Sequence, residues 1–221
     1  MEDPEQIQTA VDAAVALYVE HGRPASLDQI AERTGLDVAE LHDEFGTVDG
    51  PLVRWFANLV PRCEALVAEL APATVEDRLG AFAFVMLDLL EEQPEFVSMA
   101  FDDYAALWGS AYRAALAETL PRVLDSGEIP AVNQFVLTAP PSSWVAVEAF
   151  VRMVQAWVDD RSENRDRSTA LIDRLVRFYA EIATNQTVSR GIDVVRYAAE
   201  AGYIPFVGDW IRGKQTEAAD G

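Results

Sequence analysis

The chain has 221 residues, half of them hydrophobic, which suits one sizeable core or two smaller units and excludes a disordered chain. Its formal net charge is −20, from 37 acidic and 17 basic side chains; the basic ones are all Arg except Lys214. The lone Cys63 excludes a disulfide framework and a cysteine-rich zinc site, and His21 and His42 leave little for a histidine metal site or a triad.

Many carboxylates with one lysine suit a protein working at high salt, where the Debye length shrinks to roughly 3 Å at 1 M and self-repulsion is screened. A high-GC coding sequence gives the same preference for Arg over Lys, and composition does not separate the two. The N-terminal MEDPEQIQ lacks the charged-then-apolar pattern of a signal peptide. No apolar run is long and charge-free enough to span a bilayer. A cytoplasmic protein is expected.

In chain order, Pro4 to His21 carries Ile7, Val11, Ala14, Val15 and Tyr18 at three- and four-residue steps, an amphipathic helix that Gly22 stops. Ser26 with Gln29 three residues on predicts a capping box and a second helix. Gly35 supplies a left-handed turn, Asp37 caps a third helix, and Leu41 and Phe45 anchor it. Helices are then expected over Pro51 to Leu70, Thr74 to Glu91, Glu95 to Ala100 and Asp102 to Leu124. Pro61 predicts a kink or break near Val60, and Leu66 and Leu107 are expected on buried faces. Residues 127–141 hold Gly127, Pro130, Pro140 and Pro141 and read as a long loop, with one helical turn at Ala131 to Val136 at most. Ser142 to Asp160 and Ser168 to Ala183 are helical, joined by a polar turn, and Val188 to Ile211 is amphipathic with a break at Gly202 to Pro205. Nothing reads as a strand, so the class is all-α.

The segment from Ser26 to Phe45 has the shape of a helix-turn-helix, whose second helix usually enters the DNA major groove. With the preceding helix ending in His21–Gly22 and a long helix following, it resembles the TetR family of bacterial regulators. Ser26, Leu27, Ile30, Ala31, Thr34, Gly35 and Leu36 carry the likeness, which covers the first ~55 residues. The resemblance implies a helix-turn-helix unit over 1–50 and a larger helical unit over 51–221 that binds a small molecule and forms a homodimer. Its DNA-contact positions fall on Ser26, Arg33, Asp37, Val38, Glu40, His42 and Glu44. Here the family pattern fails in part. Glu40 stands where a small or hydroxyl residue is common, His42 where tyrosine is, Glu44 where a polar donor is, and Val48 where lysine is.

Residues 26–50 hold seven acids and one base, Arg33, a net of −6. DNA affinity comes largely from cations that neutralise phosphates, so the shape implies DNA while the charge opposes it. One carboxylate can accept from cytosine N4, but Asp37, Glu40, Asp43 and Glu44 share one short helix without Lys or Arg.

Phe82, Met86, Phe101, Tyr104, Trp108 and Tyr112 gather on the middle helices, either as core or as the lining of an apolar ligand pocket; the resemblance favours a pocket. By the same analogy Trp144, Phe150, Val154, Trp157, Leu171, Leu175 and Phe178 form the dimer face, against packing within one chain. Residues 161–180 are the one locally basic stretch, five bases against three acids. Asp102 and Asp103 are candidate N-caps. The C-terminal segment either packs on its own domain or lies on a membrane surface. No phosphate loop, metal cluster or nucleophile–base pair is present, and Glu91 and Glu92 diverge on their helix, so no enzyme and no cofactor are expected.

Overall fold

The computed structural model describes residues 3–125, 127–138 and 140–185, and these contain helices and no strand. Helix α1 (Pro4–His21) starts on an Asp3 cap with proline in its first turn and ends on Gly22 in the left-handed region. Helices α2 (Leu27–Thr34) and α3 (Val38–Phe45) follow with the expected caps. Helix α4 (Gly50–Leu70) is unbroken. Pro61 does not interrupt it, because its ring sits on the exposed side, where water can reach the carbonyl its missing N–H leaves unpaired. Leu66 is also outside, against expectation.

Helix α5 (Val75–Glu91) opens with a Thr74–Asp77 capping box, and α6 (Pro94–Ala100) with a first-turn proline. The single helix expected over Asp102 to Leu124 is two pieces. A π-helical turn (Phe101–Ala105) ends at a bend, Gly109 takes a φ of 82°, and Ser110 caps a new helix, α7 (Ala111–Val123). The expected N-cap role of Asp102 is absent; its carboxylate accepts from Gln155 Nε2 at 2.7 Å. The bend turns Leu107 and Trp108 to solvent. The long loop expected over 127–141 is mostly helix. Helix α8 (Ala131–Thr138) follows Pro130, and α9 (Pro140–Val158) begins with the two prolines, which suit a first turn because it needs no N–H. Asp160 then accepts bonds from Ser162 N, Ser162 Oγ and Ser168 N, which hold its carboxyl well below the usual range and set the start of α10 (Asp166–Thr184). The expected segment Val188 to Ile211 lies outside the described residues.

The buried side chains form a main cluster running from Ala10 in α1 to Ile172 in α10. Its centre is aromatic: Phe56 of α4 stacks on Phe96 at 5.2 Å between ring centroids, and Phe101 and Tyr112 meet it edge-on. Helix α4 is the common spine, packing on α1, α5 and α7. Helices α9 and α10 form an antiparallel pair against α5 and α7.

Candidate functional site

At the helix-turn-helix, most polar groups are engaged by the fold itself. Ser26 Oγ accepts from Gln29 N at 3.2 Å while Gln29 Oε1 accepts from Ser26 N at 2.9 Å, so both cap donors are satisfied. Asp37 accepts from Ala39 N at 2.7 Å and Glu40 N at 3.3 Å. Gly35, at φ 75°, makes the turn between the helices. Val38 is half-buried against the core.

Two of the local cations are paired as well, while Arg23 is exposed with no ion pair among the described residues. Arg33 donates to Glu20 of α1 at 2.6 Å, and Arg54 of α4 donates to Glu44 at 2.6 Å. The Arg33 hydrogen bond also holds the Glu20 carboxyl below its ordinary range. Of the seven expected DNA-contact residues, Glu40 and His42 alone present exposed side chains without a hydrogen-bond partner among the described residues. Val48, at the family's lysine position, is exposed. Gly50 begins α4 so close to Phe45 that a Cβ there would run into the Phe45 carbonyl, which fixes the angle between α3 and α4. Asp49 beside it accepts from Tyr104 Oη of the π turn at 2.8 Å, tying the helix-turn-helix to the rest of the chain.

The residues expected to line a pocket are scattered. Phe101, Met86 and Tyr112 are closed core, Tyr104 is the Asp49 partner, and Trp108 is 77% exposed. Trp108 meets Trp144 edge-on at 6.3 Å and carries the Arg113 guanidinium over its ring. The Tyr112 hydroxyl is buried with no partner among the described residues, and burial pushes its pKa up. Phe82 alone lines an apolar cavity of about 70 Å³ between α5, α7, α9 and α10, together with Leu79, Phe150, Met153, Leu175 and Tyr179. Leu175, expected on the dimer face, and Tyr179, an ordinary apolar helix residue in the sequence, join that lining only once α10 is placed.

The expected dimer-face residues also divide. Phe150, Val154 and Trp157 are buried in their own chain, with Arg165 stacked over Trp157 at 3.8 Å, and Leu175 is half-buried. Trp144, Leu171 and Phe178 are exposed. Glu91 and Glu92 do diverge, to Arg165 and Arg62 respectively. Among the described residues no helix is long and apolar enough to cross a membrane.

No family model matches the chain, and no curated protein matches it. Among solved structures it is similar to a TetR transcriptional regulator from Nitrosomonas europaea ATCC 19718, with a TM-score of 0.55 at 18% identity over 80% of this chain and 98% of that one. That likeness is one of fold: this chain has a TetR-like, all-α architecture.

Proposed function

We propose that this chain is a ligand-responsive transcriptional regulator, with residues 1–50 facing DNA and 51–221 sensing an apolar small molecule. The observation that carries this reading is an intact helix-turn-helix, both helices capped and the turn glycine in place, joined through α4 to a cavity with an almost wholly apolar lining. That cavity, at about 70 Å³, is smaller than the roughly 150 Å³ that accommodates benzene. An apolar ligand therefore needs the helices that line the cavity, α10 among them, to move apart. Two chains act together, since helix-turn-helix regulators read paired half-sites, and exposed Trp144 and Trp108 supply an apolar contact for the second copy. A gel shift against DNA flanking the chain's own gene, from low to molar KCl, should show a specific complex. No specific shift at any salt concentration overturns the regulator.

The pairing of Arg33 with Glu20 and Arg54 with Glu44 favours a second reading, an apolar-ligand-binding protein on this fold that does not bind an operator. It predicts a co-purifying lipid or other apolar molecule in native mass spectrometry, and no DNA shift. Protein that carries no such molecule and ignores lipid vesicles counts against it.

A further inference from the structure

Among the described arginines, Arg78 alone is half-buried and without a carboxylate partner. Arg23, Arg161, Arg167 and Arg174 also lack an ion pair, but all four are exposed. Every other described arginine reaches a carboxylate. With 37 acidic side chains against 17 basic ones, carboxylates are plentiful in this chain, so a half-buried guanidinium left without one stands out. Arg78 Nη1 donates to the Val123 and Asp125 carbonyls at the end of α7, a capping role. Those carbonyls occupy one nitrogen and carry no full charge. Arg78 Nη2 and Nε have no partner among the described residues.

Arg78 lines a cleft of about 310 Å³ between α4, α5 and α7. The other charged side chains of that lining neutralise each other: Glu64 accepts from Arg122 Nε at 2.7 Å and from Arg122 Nη2 at 2.8 Å. Two arginines and one glutamate leave the lining at +1, in a chain whose net charge is −20. Val67, Ala68 and Val123 add apolar wall. Phe82, one turn beyond Arg78 on α5, lines this cleft and also the apolar cavity between α5, α7, α9 and α10. We infer that the protein binds a single-tailed amphiphile with a carboxylate or phosphate head. The head sits on the free Nη2–Nε edge of Arg78, a planar fork that meets either anion in a bidentate way. The tail runs past Phe82 into the apolar cavity, and the Phe82 ring, packed on Phe150 at 5.3 Å between centroids, turns to admit it. This assignment rests on the apolar-ligand reading and narrows its ligand class.

The test is isothermal titration calorimetry on the full chain with decanoate, decyl phosphate and decanol, which share one tail. At least one of the anions is expected to bind about tenfold more tightly than decanol, the scale of a charge-assisted hydrogen bond that stays partly hydrated. The two anions separate a carboxylate from a phosphate head. Arg78→Gln, shown to be folded by circular dichroism, should erase the preference, and Arg78→Lys should keep most of it. If neither anion binds more tightly than decanol, the inference is overturned and the apolar-ligand reading stands. A preference that survives in Arg78→Gln overturns it as well. Should the variants not fold, the comparison within the parent protein decides alone. No binding of any of the three compounds overturns both the inference and the reading beneath it.

Discussion

The helix-turn-helix and the α9–α10 hairpin treat charge in opposite ways. In the first, net charge is −6 over 26–50 and the one arginine is tied to α1. In the second, Arg167 and Arg174 stand exposed between apolar side chains on the only basic stretch. The polar groups that define the helix-turn-helix shape, Ser26, Gln29 and Asp37, are caps and serve the backbone. Shape and contact chemistry are thus separable: the caps set the helix-turn-helix although the one arginine of 26–50 is held by a carboxylate, while Arg167 and Arg174 on α10 have no side-chain partner among the described residues.

The strongest way to break the comparison is at Trp157, which is 6% exposed beneath Arg165. If α9 and α10 met a partner mainly through it, Trp157→Glu would yield folded monomers. We expect instead a loss of about 3–5 kcal/mol of stability in urea melts, as for removal of a buried aromatic side chain. Trp144→Glu, on the exposed side, should change the sedimentation profile and leave the urea midpoint in place.

Next is Gly50→Ala. A Cβ there meets the Phe45 backbone, which cannot swing aside as a side chain would. A cost of about 1–3 kcal/mol is expected, the range for forced overpacking. A thermal melt checks it. An unchanged midpoint would show that α3 shifts freely on α4, and that the angle of the helix-turn-helix is not fixed by this contact.

Much of this was legible in sequence where the signal is local. The Ser26–Gln29 box, Gly35, Asp37 and the extent of α1 and α5 depend on neighbours within a turn or two, and each stands where the residues put it. The Gly109–Ser110 pair, a turn residue followed by an N-cap, was also a local signal, but the apolar period across Asp102 to Leu124 masked it. The site was less legible because it depends on what lies across the fold. Phe101, Met86 and Tyr112 differ from Phe82 in nothing the sequence displays; only the placement of α9 and α10 puts Phe82 against a cavity and the others in closed core. Ion pairing is equally non-local: Arg54 is ten residues from Glu44, and Arg33 thirteen from Glu20.

A gain-of-function variant sharpens the contrast in charge. Glu44→Gln releases Arg54, and Val48→Lys restores a cation at an exposed position. Two added phosphate contacts should steepen the dependence of log affinity on log salt by about two in fluorescence anisotropy with a duplex. A slope that stays flat would mean the scaffold no longer brings α3 to a phosphate backbone at all.

The smallest effect is expected at Arg33, and it tells whether that pair holds the fold or only occupies the arginine. Both partners are about half exposed, so the pair competes with water and salt, and its net contribution to stability is small. The Arg33 hydrogen bond lowers the Glu20 pKa on folding, so whatever stability it gives is present above the unfolded carboxyl's range and lost as pH falls through the folded value. In Arg33→Ala the Glu20 titration followed by NMR should move up toward an ordinary glutamate, while the melting midpoint at pH 7 stays put. If the midpoint falls instead, Arg33 is a structural tie between α1 and α2, and no rearrangement short of local unfolding could offer it to DNA. If both stay put, Glu20 is not its partner in solution, and the helix-turn-helix keeps one free cation after all.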